Sequence, residues 1–197
     1  MPELINRPEY LKQLIENKDV DLVKIVTGIR RCGKSSLLDL FHNYLTESGI
    51  DSAHIIHMNL ESLRYRELSD YLALYDYVKK LIPRDGRTYL IFDELQVVPH
   101  WEKAIESFRI DFDVDIYITG SNAYLLSYEF STLLSGRYVE IRMLPLSYKE
   151  FLTFYEFDNI ISADEKFQTY LKIGGMPILR EYKFNEVRIN QALEGIY

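Results

Sequence analysis

A single cysteine, Cys32, stands in 197 residues, so no internal disulfide can form and the chain suits a reducing compartment. Histidine is almost as scarce. Four scattered histidines and one cysteine offer no cluster at metal-ligand spacing, so any metal is expected to arrive with a bound ligand. No apolar run approaches the ~18 residues of a membrane span, and a start carrying Pro2, Glu3, Asn6 and Arg7 is not a signal peptide. A soluble cytoplasmic protein without membrane contact is expected. An excess of basic residues is also missing: 23 Lys and Arg against 30 Asp and Glu leave a net charge of −7, which does not support a surface built for nucleic acid. There is no internal repeat and no low-complexity linker. The length suits one domain, or one plus part of another, and 47% hydrophobic with 27% charged residues is ordinary globular composition.

What the chain does have is Gly28-Ile29-Arg30-Arg31-Cys32-Gly33-Lys34-Ser35, a full match to the P-loop pattern G-x-x-x-x-G-K-[ST]. Its context gives it weight. Leu22 to Val26 reads as a buried strand before it. Leu37, Leu38, Phe41, Tyr44 and Leu45 recur at helical spacing after it, with Gly49 as a stop. Strand, glycine-bounded loop and helix N-terminus make an anion cradle, because backbone N–H groups and the positive end of the helix dipole face the ligand. Gly28, Arg31, Cys32, Gly33, Lys34, Ser35 and Ser36 are the candidate phosphate-binding residues. Lys34 is expected to reach the β- and γ-phosphates and the Ser35 hydroxyl to ligate Mg²⁺. Cys32 reads as a small side chain beside a glycine turn rather than a redox switch.

The rest of the chain alternates. Helices are predicted over 9–17, from Tyr71 to a point before Pro83, over 101–110 and over 122–134, and strands over 54–59, 88–92, 114–118 and 138–142. The run Thr88-Tyr89-Leu90-Ile91-Phe92 is apolar without interruption, as for a strand covered on both faces. This alternation predicts an α/β protein, a three-layer sandwich with a parallel sheet between helices. After Pro145 the pattern turns helical, over 147–156, 163–173 and 185–195, broken at Gly174-Gly175-Met176-Pro177. Residues 1–146 are therefore expected to form the core and 147–197 a small helical, lid-like appendage.

Three further constellations fall at strand ends. Leu90-Ile91-Phe92-Asp93-Glu94 has the form of a Walker B element: Asp93 is the candidate metal carboxylate and Glu94 the candidate base for the attacking water. Thr119-Gly120-Ser121-Asn122 places small polar groups after a strand. Ser121 is the first candidate to sense the γ-phosphate and Asn122 the second, while an ordinary turn and helix cap explains the same residues. Arg137, in Ser135-Gly136-Arg137, is a candidate arginine finger in cis or on a neighbouring copy, which makes self-association through Arg137 an expectation; a structural ion pair is the competing reading.

These motifs, taken in order, resemble an AAA-superfamily ATPase. The chain is most similar to a bacterial and archaeal group marked by Gly-Ile-Arg-Arg-x-Gly-Lys-Ser, Phe-Asp-Glu-(Leu/Ile)-Gln, Thr-Gly-Ser, Ser/Ala-Gly-Arg-Tyr and Leu-Pro-Leu-Ser. Here these are Gly28–Ser35, Phe92–Gln96, Thr119–Ser121, Ser135–Tyr138 and Leu144–Ser147, and Gly174–Pro177 matches the group's Gly-Gly-Tyr-Pro turn with Met176 in place of the aromatic. The resemblance implies an N-terminal AAA core followed, in longer members, by a winged-helix-like part and a nuclease-like domain. The chain ends at Gly195-Ile196-Tyr197 inside a predicted helix and reads as a shortened form of that architecture. The resemblance also implies that Ile5-Asn6-Arg7-Pro8 borders an adenine.

Together these readings predict an ATP-binding, Mg²⁺-dependent ATPase module, the metal being the nucleotide's own. A GTPase would carry Asn-Lys-x-Asp, which is absent, and a small-molecule kinase would not need Glu94 beside Asp93. Two other classes stay open: a nucleotide-dependent switch with little turnover, and an inert scaffold with a vestigial loop.

Overall fold

Odd and even residues of each central strand face different helices, and this division builds the molecule. The computed structural model describes residues 7–120, 136–155, 157, 160–182 and 185–194. By compactness the chain forms two units. One comprises 1–27 with 35–142, the other 28–34 with 143–197.

The first unit carries a five-stranded sheet: β1 (Val23–Gly28), β2 (Ile55–Asn59), β3 (Thr88–Asp93), β4 (Val114–Thr119) and β5 (Tyr138–Met143), in the order β2-β3-β4-β1-β5. The pairings β1–β4, β2–β3 and β3–β4 are parallel. β5 runs the same way as β1. Val23 N–H donates to Arg137 O (2.9 Å) where both strands begin, and further along Thr27 Oγ1 donates to Glu140 Oε1 (2.6 Å).

Four helices belong here: α1 (Pro8–Glu16), α2 (Lys34–Glu47), α3 (Tyr71–Lys79) and α4 (Trp101–Asp111). One face of the sheet presents Val23, Ile25, Ile56, Met58, Leu90, Phe92, Ile116 and Ile118, packed with Leu74 and Val78 of α3 and Ala104, Ile105 and Phe108 of α4. The opposite parity faces α2, where the Phe41 ring lies 4.3 Å from Tyr117 and the His42 ring 5.4 Å from His57. Successive side chains of a strand point to opposite faces, so helices on both faces require strands that are apolar throughout. β1 and β3 are buried at every position.

The second unit is helical: α5 (Tyr148–Phe154), α6 (Ala163–Ile173), a 3₁₀ turn Pro177–Tyr182 and α7 (Glu186–Glu194). Ser147 with Glu150, and Ser162 with Glu165, form capping boxes that start α5 and α6. Phe151 lies 4.3 Å from Tyr155 and 5.1 Å from Tyr170 in its aromatic core. Gly175 admits no side chain, since a Cβ there would stand 2.2 Å from Leu146 O, and the Leu146 N–H donates to Gly175 O (2.7 Å).

Three details differ from the sequence reading. The change of architecture falls after Arg142 rather than 146, and loop 28–34 belongs with the second unit, where Gly28 lies against Met143: a Cβ on it would be 2.4 Å from Met143 O. Helix α5 stops at Phe154, and the turn at Pro177–Tyr182 is additional. The helix predicted over 122–134 lies outside the described residues. Among the described residues no helix is long and apolar enough to cross a membrane, and no group of three His, Cys, Asp or Glu could hold a metal ion.

Candidate functional site

The loop after β1 is built from conformations that ordinary residues avoid. Gly28 (φ 152°), Arg31 (φ 63°) and Gly33 (φ 102°) all have positive φ. Cys32 is fully buried, with Sγ 2.9 Å from where a Gly28 Cβ would sit, so it fills the space that the glycine leaves. Arg30 and Arg31 are exposed. Lys34, only 4% exposed, folds back on its own loop, its Nζ donating to Gly28 O (3.2 Å) and Ile29 O (3.3 Å). Both acceptors are neutral, so neither cancels the charge of the ammonium. Ser35 and Ser36 occupy the first turn of α2, which holds no acidic residue to repel an anion.

At the carboxyl ends of the other strands the register aligns polar residues. Asn59 pairs with Asp93 across β2 and β3, and Phe92 with Ile118 across β3 and β4, which sets Thr119 beside Asp93. Asp93 is 2% exposed. Its Oδ1 accepts from the Thr119 hydroxyl and its Oδ2 from Asn59 Nδ2 (3.0 Å). The Asn59 amide is oriented by Glu61 N–H, which donates to Asn59 Oδ1 (3.0 Å). Both donors to Asp93 are neutral, and among the described residues no cation pairs with it. A buried carboxylate held this way suits a cation supplied by a ligand.

Glu94 follows in the left-handed conformation, φ 53° and ψ 45°. Its N–H donates to Thr119 Oγ1 (3.1 Å), so one hydroxyl serves both acidic residues. Gln96 Nε2 donates to Glu94 Oε2. The sequence marked Asp93 and Glu94, and these two come together with Asn59, Gln96 and Thr119. Asn59 was not foreseen, Gln96 and Thr119 only as motif positions without a role. The available signal was a polar residue closing each apolar strand.

Arg137 is elsewhere. It precedes β5 at the amino edge of the sheet, level with Val23, and its Nη1 pairs with Glu106 Oε1. Thr27 stands four residues further along β1, ~13 Å at strand rise. Arg137 is thus a structural ion pair within its own chain and does not serve the Asp93 end of that chain, which corrects the cis arginine finger. Ser121 and Asn122 lie outside the described residues.

Comparisons with known proteins bear on the family and the fold. Residues 20–152 match the family described as AAA domain. The chain is 43% identical over 176 residues to an uncharacterized protein of Haemophilus influenzae, a match covering 88% of this chain and 44% of that one. It is 30% identical over 207 residues to an uncharacterized protein of Methanocaldococcus jannaschii, covering 99% and 44%. The chain therefore spans less than half the length of these relatives. Among solved structures it resembles the Walker-type ATPase of Pyrococcus abyssi, with a TM-score of 0.55 at 20% identity over 97% of this chain and 73% of that one. It also resembles AMPPCP-bound DnaA from Aquifex aeolicus, with a TM-score of 0.57 at 14% identity over 91% and 59%. At such identities the likeness carries the fold. The nuclease-like domain implied by the resemblance is not part of these matches.

Proposed function

Because the chain belongs to the AAA domain family, we propose that it binds ATP with Mg²⁺ and hydrolyses the terminal phosphoanhydride bond. The observation that carries this reading is Asp93: a carboxylate closed off from water at the end of β3, held by two neutral donors and followed at once by Glu94 in a left-handed turn. The P-loop supports it, as does the fold shared with AMPPCP-bound DnaA. Lys34 and the backbone amides of 31–36 hold the phosphates, and Ser35 and Asp93 hold the metal. The Glu94 carboxylate takes a proton from water as the water oxygen attacks the γ-phosphorus and ADP departs. Ser121 contacts the γ-phosphate. Bound Mg²⁺ neutralises charge on the phosphate oxygens. Arg137 acts catalytically only if a neighbouring copy of the chain receives it. The site works in the cytoplasm.

The test is phosphate release from ATP with Mg²⁺ for wild type, Lys34→Ala and Glu94→Gln over a range of protein concentrations. Turnover abolished by both substitutions is the expected result. Activity per molecule that rises with concentration would bring Arg137 back, acting between copies. Binding without turnover in wild type would replace hydrolysis by a nucleotide-dependent switch, and no binding at all would leave an inert scaffold.

A further inference from the structure

We propose that Gln96 is a positioning residue that fixes the carboxylate of Glu94 for proton transfer, an inference that rests on the hydrolytic reading of Glu94. Both ends of Glu94 are tied. Its backbone is held in the left-handed region by the bond from its N–H to Thr119 Oγ1 (3.1 Å). The chain then makes a 3₁₀ turn, Leu95–Val97, pinned by the buried side chains of Leu95 and Val98, and this turn brings Gln96 back to Glu94. Gln96 Nε2 donates to Glu94 Oε2.

The amide's orientation follows from chemistry. An ionised carboxylate only accepts, so the NH₂ group must face it, and Gln96 Oε1 must point away. That oxygen is buried and meets no donor among the described residues. Buried acceptors without partners are uncommon because they lose their hydrogen bonds to water. A leucine of similar size would pack there without that cost. Among the described residues, the amide's hydrogen bond is therefore the one to Glu94.

Two consequences for the base follow. The Glu94 side chain, which has three rotatable bonds, no longer has to be ordered during the reaction. With Oε2 occupied by the amide, proton transfer from water falls to Glu94 Oε1.

The test combines steady-state kinetics with thermal unfolding for Gln96→Leu and Gln96→Glu, alone and in the Glu94→Gln background. Gln96→Leu is expected to lower kcat about tenfold, equivalent to ~1.4 kcal/mol of barrier, to leave the KM for ATP within about twofold, and to melt no lower than wild type because the stranded acceptor is gone. Gln96→Glu places a second carboxylate against Glu94 and is expected to lower kcat further at neutral pH. In the Glu94→Gln background Gln96→Leu should change nothing more. Wild-type kcat in Gln96→Leu, a fall in melting temperature that parallels the fall in rate, or full additivity with Glu94→Gln overturns the proposal while the ATPase reading stands. If Glu94→Gln itself turns over like wild type, or wild type no faster than Lys34→Ala, the ATPase reading fails, and this inference with it.

Discussion

Replacing Thr119 by valine should destabilise the protein by ~2–4 kcal/mol, although valine has nearly the same shape and a better strand propensity. Thr119 is fully buried. Its hydroxyl donates to Asp93 Oδ1 and accepts from Glu94 N–H at 3.1 Å. Valine removes both bonds at a position closed to water. A stranded N–H costs about 1–3 kcal/mol when fully buried and less at this part-buried bond, and a hydrogen bond to a charged acceptor is worth about 1.5–3 kcal/mol. Because both act through one oxygen, and Asp93 keeps the bond from Asn59, the two losses do not simply add. At ~2–4 °C per kcal/mol for a chain of this size, a ~3 kcal/mol loss lowers the melting temperature by about 6–12 °C. Urea denaturation monitored by circular dichroism measures it directly. Thr119→Ser is the control: it keeps the hydroxyl and gives up one buried methyl, about 1 kcal/mol. A valine variant within ~0.5 kcal/mol of wild type, or a serine variant as damaged as the valine one, would refute the assignment of both bonds to this hydroxyl.

Three other perturbations probe the rest of the structure. Lys24, fully buried, pairs with Asp115 at 3% exposure, so Lys24→Met leaves a buried charge uncompensated and should cost ~3–5 kcal/mol by denaturant titration, while adding Asp115→Asn makes matters no worse. Burial holds the pKa of His57 below 6.5, outweighing Asp39 at 4.0 Å and Asp93, which raise it, and reinforced by His42, which lowers it. Below pH 6.5 the unfolded chain therefore takes up a proton that the folded imidazole refuses, so the His57 contribution to stability is present above that pH and lost on acidification. Urea midpoints between pH 7.5 and 5 should fall less steeply in His57→Phe than in wild type. Gly175→Ala drives a Cβ into the Leu146 carbonyl at 2.2 Å, backbone against backbone, and should cost about 1–3 kcal/mol in the second unit, read as faster amide exchange in α5 and α6.

Much of the fold was legible because its signals are local. The apolar run at 88–92 required cover on both faces, and β3 is buried throughout. The spacing of Leu37, Leu38, Phe41 and Leu45 marked the buried stripe of α2. Ser147 and Ser162, each followed three residues later by a glutamate, are local start signals for α5 and α6 that the sequence reading did not use. The partners of Asp93 were illegible for the opposite reason. Asn59 and Thr119 lie 34 and 26 residues away and meet it only through the strand register, which no local pattern contains. Arg137 is a different kind of miss. In a parallel sheet, residues that precede a strand lie at the edge opposite to those that follow one, so an arginine directly before β5 could have been assigned to the amino edge from the alternation alone.

That same parallelism gives the two edges of the sheet different duties. The residues that lead into strands are charged and matched: Arg87 with Asp113, Arg109 with Asp21, Arg137 with Glu106, and deeper inside Lys24 with Asp115. Each of these four cations has its negative partner. At the exits of β2 and β3 stand Asn59 and Asp93, with Thr119 at the exit of β4, and among the described residues Asp93 meets only neutral donors. A fold seeking stability alone would neutralise a buried carboxylate or replace it, as it has paired Asp115. A buried Asp93 held only by neutral donors, in a sheet whose Lys24–Asp115 pair is matched, fits the proposed arrival of a cation with the nucleotide. Substitutions at the amino edge should accordingly register in stability and hardly in nucleotide affinity. Asp93→Asn should do the reverse, because it removes a buried charge that the protein itself does not balance.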